Sequence, residues 1–315
     1  DAFPTSVPKG PTVRVDTKFV GTNRSPGEGS GFLVAPDGKK NEPIDGKRLI
    51  ATAAHVVGES SLDGGEGSVF KTLGKNFQSA DGDGNKQLSK DEISKQASIP
   101  ENLNATAAQK ADAREKQFQF NHILQNFDKI NAISKELAGT GSNMPGITEA
   151  GLKEYYKRSA DVTVKTSQGD FKAAIVGIDS NTDAALIEIK GLNPKTEQAL
   201  GDNIPLATGD PKKDEAIKTE GFRGIPGFKR SDGSHARFFT KDVGQFLFKA
   251  GSFEGDPRHV SQIVAHPGMS GGPTLNGRGE AIGVNSAIGE LNKKNLLFST
   301  PSSEIVKQLR ARMKK

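Results

Sequence analysis

The spacing of apolar residues changes along the chain and divides it into strand-like and helix-like stretches. Gly29-Ser30-Gly31-Phe32-Leu33-Val34 reads as a short strand preceded by glycines. Arg48-Leu49-Ile50-Ala51-Thr52 is a run suited to a buried strand, leading into Ala53-Ala54-His55-Val56-Val57. After an intervening segment rich in helix formers, short aliphatic runs return. Phe171 to Asp179 and Asp183 to Ile189 predict a hairpin around Ser180-Asn181-Thr182, which puts Asp183 at a strand start. Pro273-Thr274-Leu275, the turn Asn276-Gly277-Arg278-Gly279 and Ala281-Ile282-Gly283-Val284-Asn285-Ser286 predict a second hairpin. Thr300-Pro301-Ser302-Ser303-Glu304 is a helix start, and Ile305, Leu309 and Met313 would share one face of that helix. Many short strands with turn signals argue for antiparallel β-barrels.

Three motifs carry candidate chemistry on this frame. They are Thr52-Ala53-Ala54-His55, Asn181-Thr182-Asp183-Ala184-Ala185-Leu186-Ile187 and Gly268-Met269-Ser270-Gly271-Gly272-Pro273. A serine hydroxyl is a weak nucleophile and needs a base within hydrogen-bond reach. That base is best served by an imidazole held in one tautomer by a buried carboxylate. An oxyanion needs backbone N–H donors, which a glycine-rich turn offers without side chains in the way.

Together the motifs resemble the trypsin/chymotrypsin-fold serine proteases, which share the order His, Asp, Ser. The likeness is greatest to the bacterial, disulfide-free branch that includes the high-temperature-requirement (Deg) proteases, and it covers roughly residues 11–58 and 159–308. The resemblance implies an all-β fold of two six-stranded antiparallel barrels (chymotrypsin-like), here with an inserted α-helical subdomain and a C-terminal helix. It assigns Ser270 as nucleophile, His55 as base and Asp183 as the carboxylate that orients it. It assigns the backbone N–H groups of Gly268 and Ser270 to the oxyanion hole, and to Ser286 a backbone carbonyl that holds extended substrate. Digestive members carry Asp before the nucleophile, and a newly cut N-terminus pairs with it. Met269 cannot make that pair. The oxyanion turn must be ordered constitutively, by substrate or by a regulatory element.

His55 and Asp183 lie 128 positions apart, more than a small barrel needs. The insertion, about 59–158, contains Asp81-Gly82-Asp83-Gly84-Asn85-Lys86-Gln87-Leu88-Ser89-Lys90-Asp91-Glu92. This resembles a 12-residue EF-hand loop, whose hard cation takes six to eight oxygens. The resemblance implies Ca2+ held by the side chains of Asp81, Asp83 and Asn85, the Gln87 carbonyl, Ser89 and Glu92. Lys86 stands where the family has glycine. Phe70, Leu73 and Phe77 mark one face of a helix ahead of the loop, and Ile93 begins the helix after it. Phe120, Ile123, Leu124 and Phe127, followed by Ile133-Ser134-Lys135-Glu136-Leu137, suggest a second, shortened hand that binds no calcium. An ordinary amphipathic helix pair is the alternative.

Composition narrows the rest. Asp1 to Pro11 reads as an extended arm. The first barrel takes about 12–58 and 159–205, the second about 206–300, and a helix 301–315 follows. The formal charge is +5, yet residues 59–157 hold 12 basic and 14 acidic residues, so the basic character sits on the barrels and termini. No aromatic-basic stacking motif argues for nucleic acid. There is no cysteine and no apolar run long enough to span a membrane. The chain begins without methionine, and the expected location is secreted or periplasmic, with cytoplasmic residence the alternative. Expected partners are protein or peptide substrates. Val264 and His266 precede the oxyanion turn and are expected at the specificity pocket. Val264 argues against cleavage after Lys or Arg and His266 could favour an acidic residue, but a small or medium apolar residue is the preferred expectation. The competing function is a non-enzymatic, protease-like scaffold for calcium-dependent binding.

Overall fold

The computed structural model describes residues 7–21, 27–35, 47–58, 69–98, 106–139, 145–179, 181–229, 235–253 and 256–313. The chain divides into two compact units. One comprises Asp1–Thr17, Pro26–Gly64 and Asp161–Lys315, the other Lys18–Ser25 and Gly65–Ala160.

The first unit is built of strands. β1 (Thr12–Lys18), β2 (Gly27–Ala35), β3 (Leu49–Thr52), β4 (Asp161–Thr166), β5 (Gly169–Asp179) and β6 (Ala184–Ile189) follow one another in sequence. They pair in the order β1-β4-β5-β6-β3-β2, and antiparallel β1–β2 pairing closes the ring. The short β7 (Ile204–Pro205) adds to β2 in parallel. β4 alternates buried and open positions, as a strand with one face in the core should. β3 and β6 are buried throughout, so their aliphatic runs show no alternation. Between β6 and β7 the chain forms a short helix, Pro194–Ala199, capped by Asn193.

Six further strands form a closed barrel in the order β10-β13-β12-β11-β8-β9. They are β8 (Ala216–Lys229), β9 (His235–Phe253), β10 (Asp256–Gln262), β11 (Pro273–Leu275), β12 (Ala281–Leu291) and β13 (Lys294–Pro301). Leu206 bridges Ala281 of this barrel. Ala207, Ile217, Phe246 and Ile282 form part of its core. The helix Ser302–Met313 then buries Ile305 and Leu309. The two-barrel arrangement fits the chymotrypsin-like architecture expected from the motifs.

The second unit is helical. Its elements are α1 (Val69–Ala80), α2 (Lys90–Ala97), α3 (Ala107–Gln125), α4 (Phe127–Ala138) and α5 (Glu149–Ser159). Leu73, Phe77, Phe120, Ile123, Ile130 and Tyr156 fill its core. Ser89 caps α2 in a reciprocal box with Glu92, and Thr106 does the same for α3 with Gln109. The side chain of Phe70 lies outside the described residues, as do 1–6 of the expected arm and Met313's side chain.

Among the described residues no loop lies where the shortened second hand was expected: α3 and α4 are separated by Asn126 alone. Ile133 and Ser134 lie inside the continuous helix α4. The partner of Leu88 is Ile147: each backbone N–H donates to the other's carbonyl, at 2.8 and 2.9 Å. The pairing segment thus precedes α5, where Thr148 caps the helix as Ser89 caps α2. Ile133-Ser134-Lys135 echoed Leu88-Ser89-Lys90 only as letters, because the helical period of α4 absorbs it: Ile130 and Ser134 are buried one turn apart.

Candidate active site

His55 sits in a single 3-10 turn, Ala54–Val57, directly after β3. Asp183 ends the turn before β6 and takes a left-handed backbone (φ 53°), which Asp tolerates better than most residues. That conformation is held from outside. Arg258, 2% exposed on β10, donates to the Thr182 carbonyl at 2.5 Å and the Asn181 carbonyl at 3.3 Å. Thr300 also donates to the Thr182 carbonyl and accepts from Arg258 at 2.9 Å.

The Asp183 carboxylate is wholly buried and faces three donors. The His55 backbone N–H lies 3.0 Å from Oδ1, and the imidazole Nδ1 lies 3.1 Å from Oδ1 and 3.0 Å from Oδ2. The third donor is the Ser286 hydroxyl, 2.5 Å from Oδ2. Ser286 falls at a register shift in the β12–β13 pairing, between Asn285 and Ala287, and such a bulge re-aims a side chain. The sequence assigned Ser286 only a backbone carbonyl; its side chain on Asp183 was not anticipated. With a carboxylate on Nδ1, the favoured neutral tautomer carries hydrogen on Nδ1 and a lone pair on Nε2.

His55 and Ser270 line one cavity of about 260 Å³. Ala265, His266, Pro267, Ile288 and Leu297 supply much of its remaining wall. The turn around Ser270 is tied down by Asn285. Its carbonyl accepts from Gly271 N–H at 2.7 Å, and its own N–H donates to Gly272 at 2.8 Å. Gly271 has φ +86°, and a Cβ there would stand 2.0 Å from the Ser30 carbonyl, so no side chain fits beside Ser270. Among the described residues neither the Gly268 nor the Ser270 N–H has an acceptor.

Val264 does not reach this cavity. It is 44% exposed and lines a separate, more polar groove with Asp214, Gln245 and Lys293. Val264 lies past the end of β10 at Gln262, where strand alternation no longer sets the direction of a side chain. His266 does line the cavity, and its imidazole titrates below the usual range because of burial, then the nearby Arg223 charge. It is therefore mostly neutral at pH 7 in the free protein.

The acidic loop of the helical unit forms a second candidate site. Asp81, Asp83 and Glu92 each place a carboxylate oxygen within 4.8 Å of the others. Asp81 Oδ2 accepts from Lys86 N–H at 2.9 Å, whereas Oδ1 is shut off from water and has no hydrogen-bond partner among the described residues. A buried carboxylate oxygen lacking a donor, beside two more carboxylates, is what a hard cation satisfies. Asn85 Oδ1 accepts from Gln87 N–H at 2.7 Å, and Ser89 Oγ donates to Glu92 at 2.9 Å. Glu92 titrates below the usual carboxylate range, chiefly because the Ser89 N–H donates to it. Lys86 has φ 63°, the left-handed conformation for which glycine is favoured.

Known proteins resemble parts of this chain. A 149-residue stretch, 46% of the chain, is 30% identical to the serine protease Do-like HtrB of Bacillus subtilis and covers 31% of it. A 136-residue stretch is 29% identical to a probable periplasmic serine endoprotease DegP-like of Pseudomonas putida, 41% of this chain and 24% of that protein. The chain thus spans about a quarter to a third of the length of these curated relatives. Among solved structures, the active form of the Rv3671c protease of M. tuberculosis aligns over 96% of this chain and 80% of its own, at 15% identity and a TM-score of 0.48. No family model matches the chain.

Proposed function

We propose that the chain is a serine endopeptidase that cleaves protein or peptide substrates through an acyl-enzyme, and that its helical unit binds calcium. The observation that carries the first part is the buried Asp183 carboxylate on His55 Nδ1, with His55 and Ser270 lining one cavity. The relatives named as serine proteases support the same reaction class.

The steps follow from the groups present. His55 Nε2 accepts the Ser270 proton as Oγ attacks the scissile carbonyl carbon. Asp183 orients the imidazole and stabilises its cationic form. The carbonyl oxygen, now an anion, takes the N–H groups of Gly268 and Ser270. His55 returns the proton to the leaving amine as the C–N bond breaks and Ser270 is left acylated. Water, activated by the same base, then releases the acid. The apolar wall of Ala265, Ile288 and Leu297, with a neutral His266, favours a small or medium apolar side chain in the pocket.

Calcium in the acidic loop would be held by Asp81, Asp83, Asn85, the Gln87 carbonyl, Ser89 and Glu92. Bound there, the ion neutralises clustered carboxylates and orders the loop. A secreted or periplasmic location belongs to the same proposal, supported by the relative named periplasmic. Among the described residues no helix is long and apolar enough to cross a membrane.

Two measurements test this reading. Casein should be degraded by the wild type and left intact by Ser270→Ala; equal rates in both would refute the protease. Calorimetric titration with calcium should show one site that Asp81→Ala removes. No heat in the wild type would refute the metal site while leaving the protease reading in place.

A further inference from the structure

Met269 precedes the nucleophile and cannot receive a fresh N-terminus, so something else must set the oxyanion turn. The backbone shows what does. A trans peptide points its C=O and N–H in opposite directions, so fixing the carbonyl fixes the amide. The Pro267 carbonyl accepts from Gly224 N–H at 2.9 Å, which turns the Gly268 N–H the other way. The Met269 carbonyl accepts from Gly272 N–H at 3.0 Å and from Asn285 Nδ2 at 3.2 Å, which does the same for the Ser270 N–H. The peptide between them is held at both ends. Met269 N–H donates to the His266 carbonyl at 3.1 Å, and the Gly268 carbonyl accepts from Ser30 Oγ at 2.9 Å.

His266-Pro267-Gly268-Met269 is therefore a turn with proline second and glycine third, at φ +95° for Gly268. That is the type II pattern, whereas the type I alternative needs negative φ at the third position. A peptide flip would give up the Gly224 bond. The Met269 side chain seals the turn: it is 1% exposed, and its sulfur accepts from His266 N–H at 3.3 Å.

Ser30 is the hub. It is fully buried on β2, and its hydroxyl accepts from Phe222 N–H on β8 at 2.8 Å while donating to Gly268. Its own N–H donates to the Ser270 carbonyl at 2.7 Å. Arg237 stands behind it, with Nη1 3.5 Å from the Gly268 carbonyl and Nη2 2.7 Å from Glu28. The Arg237 side chain is buried and that of Glu28 is 10% exposed.

We infer that Ser30 is a positioning residue that presets the oxyanion turn, with the Arg237–Glu28 pair as its support, so that the hole is formed without N-terminal insertion or an activator. This rests on the protease reading above. The test uses the intact chain, p-nitrophenyl acetate as acylating probe and a fluorophosphonate as active-serine label. The wild type should react with both unaided. Ser30→Ala should lose about 10- to 100-fold in kcat, a fraction of the loss of a whole oxyanion donor, with KM nearly unchanged. It should also bind phenylboronic acid more weakly, because the tetrahedral adduct places an oxygen in the hole. A merely structural role would lower the melting temperature and leave the kcat-to-KM split untouched. Should Ser30→Ala fail to fold, Arg237→Met decides: a fall in kcat with KM held is expected. A folded Ser30→Ala, or Arg237→Met in its place, that matches the wild type overturns the inference but not the protease. A wild type that acylates only after peptide or calcium is added also overturns it. A wild type that never takes the fluorophosphonate ends the protease reading and this inference together.

Discussion

Replacing Asp183 by Asn keeps the shape of the buried side chain and removes its charge. In the wild type the carboxylate accepts from the His55 backbone N–H, from His55 Nδ1 and from Ser286 Oγ. An amide can keep Oδ1 on the backbone N–H, which places its NH2 where Oδ2 was. There it faces Nδ1 and the Ser286 hydroxyl. The hydroxyl can rotate to accept, but Nδ1 can accept only by moving the imidazole proton to Nε2. The base then presents a hydrogen to Ser270 instead of a lone pair. The reversed tautomer lowers kcat by about 10⁴, about 5.4 kcal/mol of transition-state stabilisation. Folding should change far less, since volume and hydrogen-bond number are conserved and only the charge is lost. The assay is the rate of p-nitrophenyl acetate acylation in Asp183→Asn beside a thermal melt. A variant that melts within a few degrees of the wild type and keeps more than a tenth of its kcat would refute the role assigned to the carboxylate.

Other consequences follow from single contacts. Arg258→Met removes one of the two donors on the Thr182 carbonyl and the donor to the Asn181 carbonyl, while Thr300 stays on Thr182, so the lost bonds cost about 1–3 kcal/mol together. The melt should fall by several degrees and kcat should fall with it, as Asp183 loses its fixed backbone; an unchanged kcat would refute the linkage. Lys86→Gly relieves a left-handed backbone worth about 1 kcal/mol, so calcium should bind several-fold more tightly in calorimetry, and weaker binding would contradict this. The His122 imidazole lies 3.2 Å from the Tyr155 hydroxyl, and burial holds its pKa below the usual value. The unfolded chain therefore takes up that proton first, at about pH 6.5, and the helical unit loses stability as pH falls below that value toward the folded pKa. His122→Gln should flatten that slope in melts between pH 7 and pH 5; an identical slope would assign it to other groups.

What the sequence disclosed depends on how local each signal was. The hairpin of β5 and β6 was legible because aliphatic runs flank a short polar turn, and that of β11 and β12 because glycines mark the turn at 276–279. The helices on either side of the acidic loop announce themselves through Leu73, Phe77 and Ile93, all buried. His55, Asp183 and Ser270 stand in motifs whose neighbours repeat the pattern, so they could be read as a set. Ser30 and Arg258 could not. Each acts on residues far away in sequence, 238 positions in one case and 76 in the other, and a lone serine or arginine carries no local mark of that. The side-chain role of Ser286 depends on a bulge that no residue pattern announces. The partner of Leu88 was misplaced because a three-letter echo in α4 outweighed the subtler sign at Ile147-Thr148-Glu149, an aliphatic residue directly before a capped helix. The long hairpin of β8 and β9 was not read either: Val243 and Phe248 point outward, which blurs the alternation a strand should show.

The central claim is that one serine is activated by His55 on Asp183. Mass mapping after fluorophosphonate treatment tests it most directly. A single adduct on Ser270, absent from Ser270→Ala and strongly slowed in Asp183→Asn, is the predicted result. An unlabelled chain, or an adduct on any other serine, would contradict it.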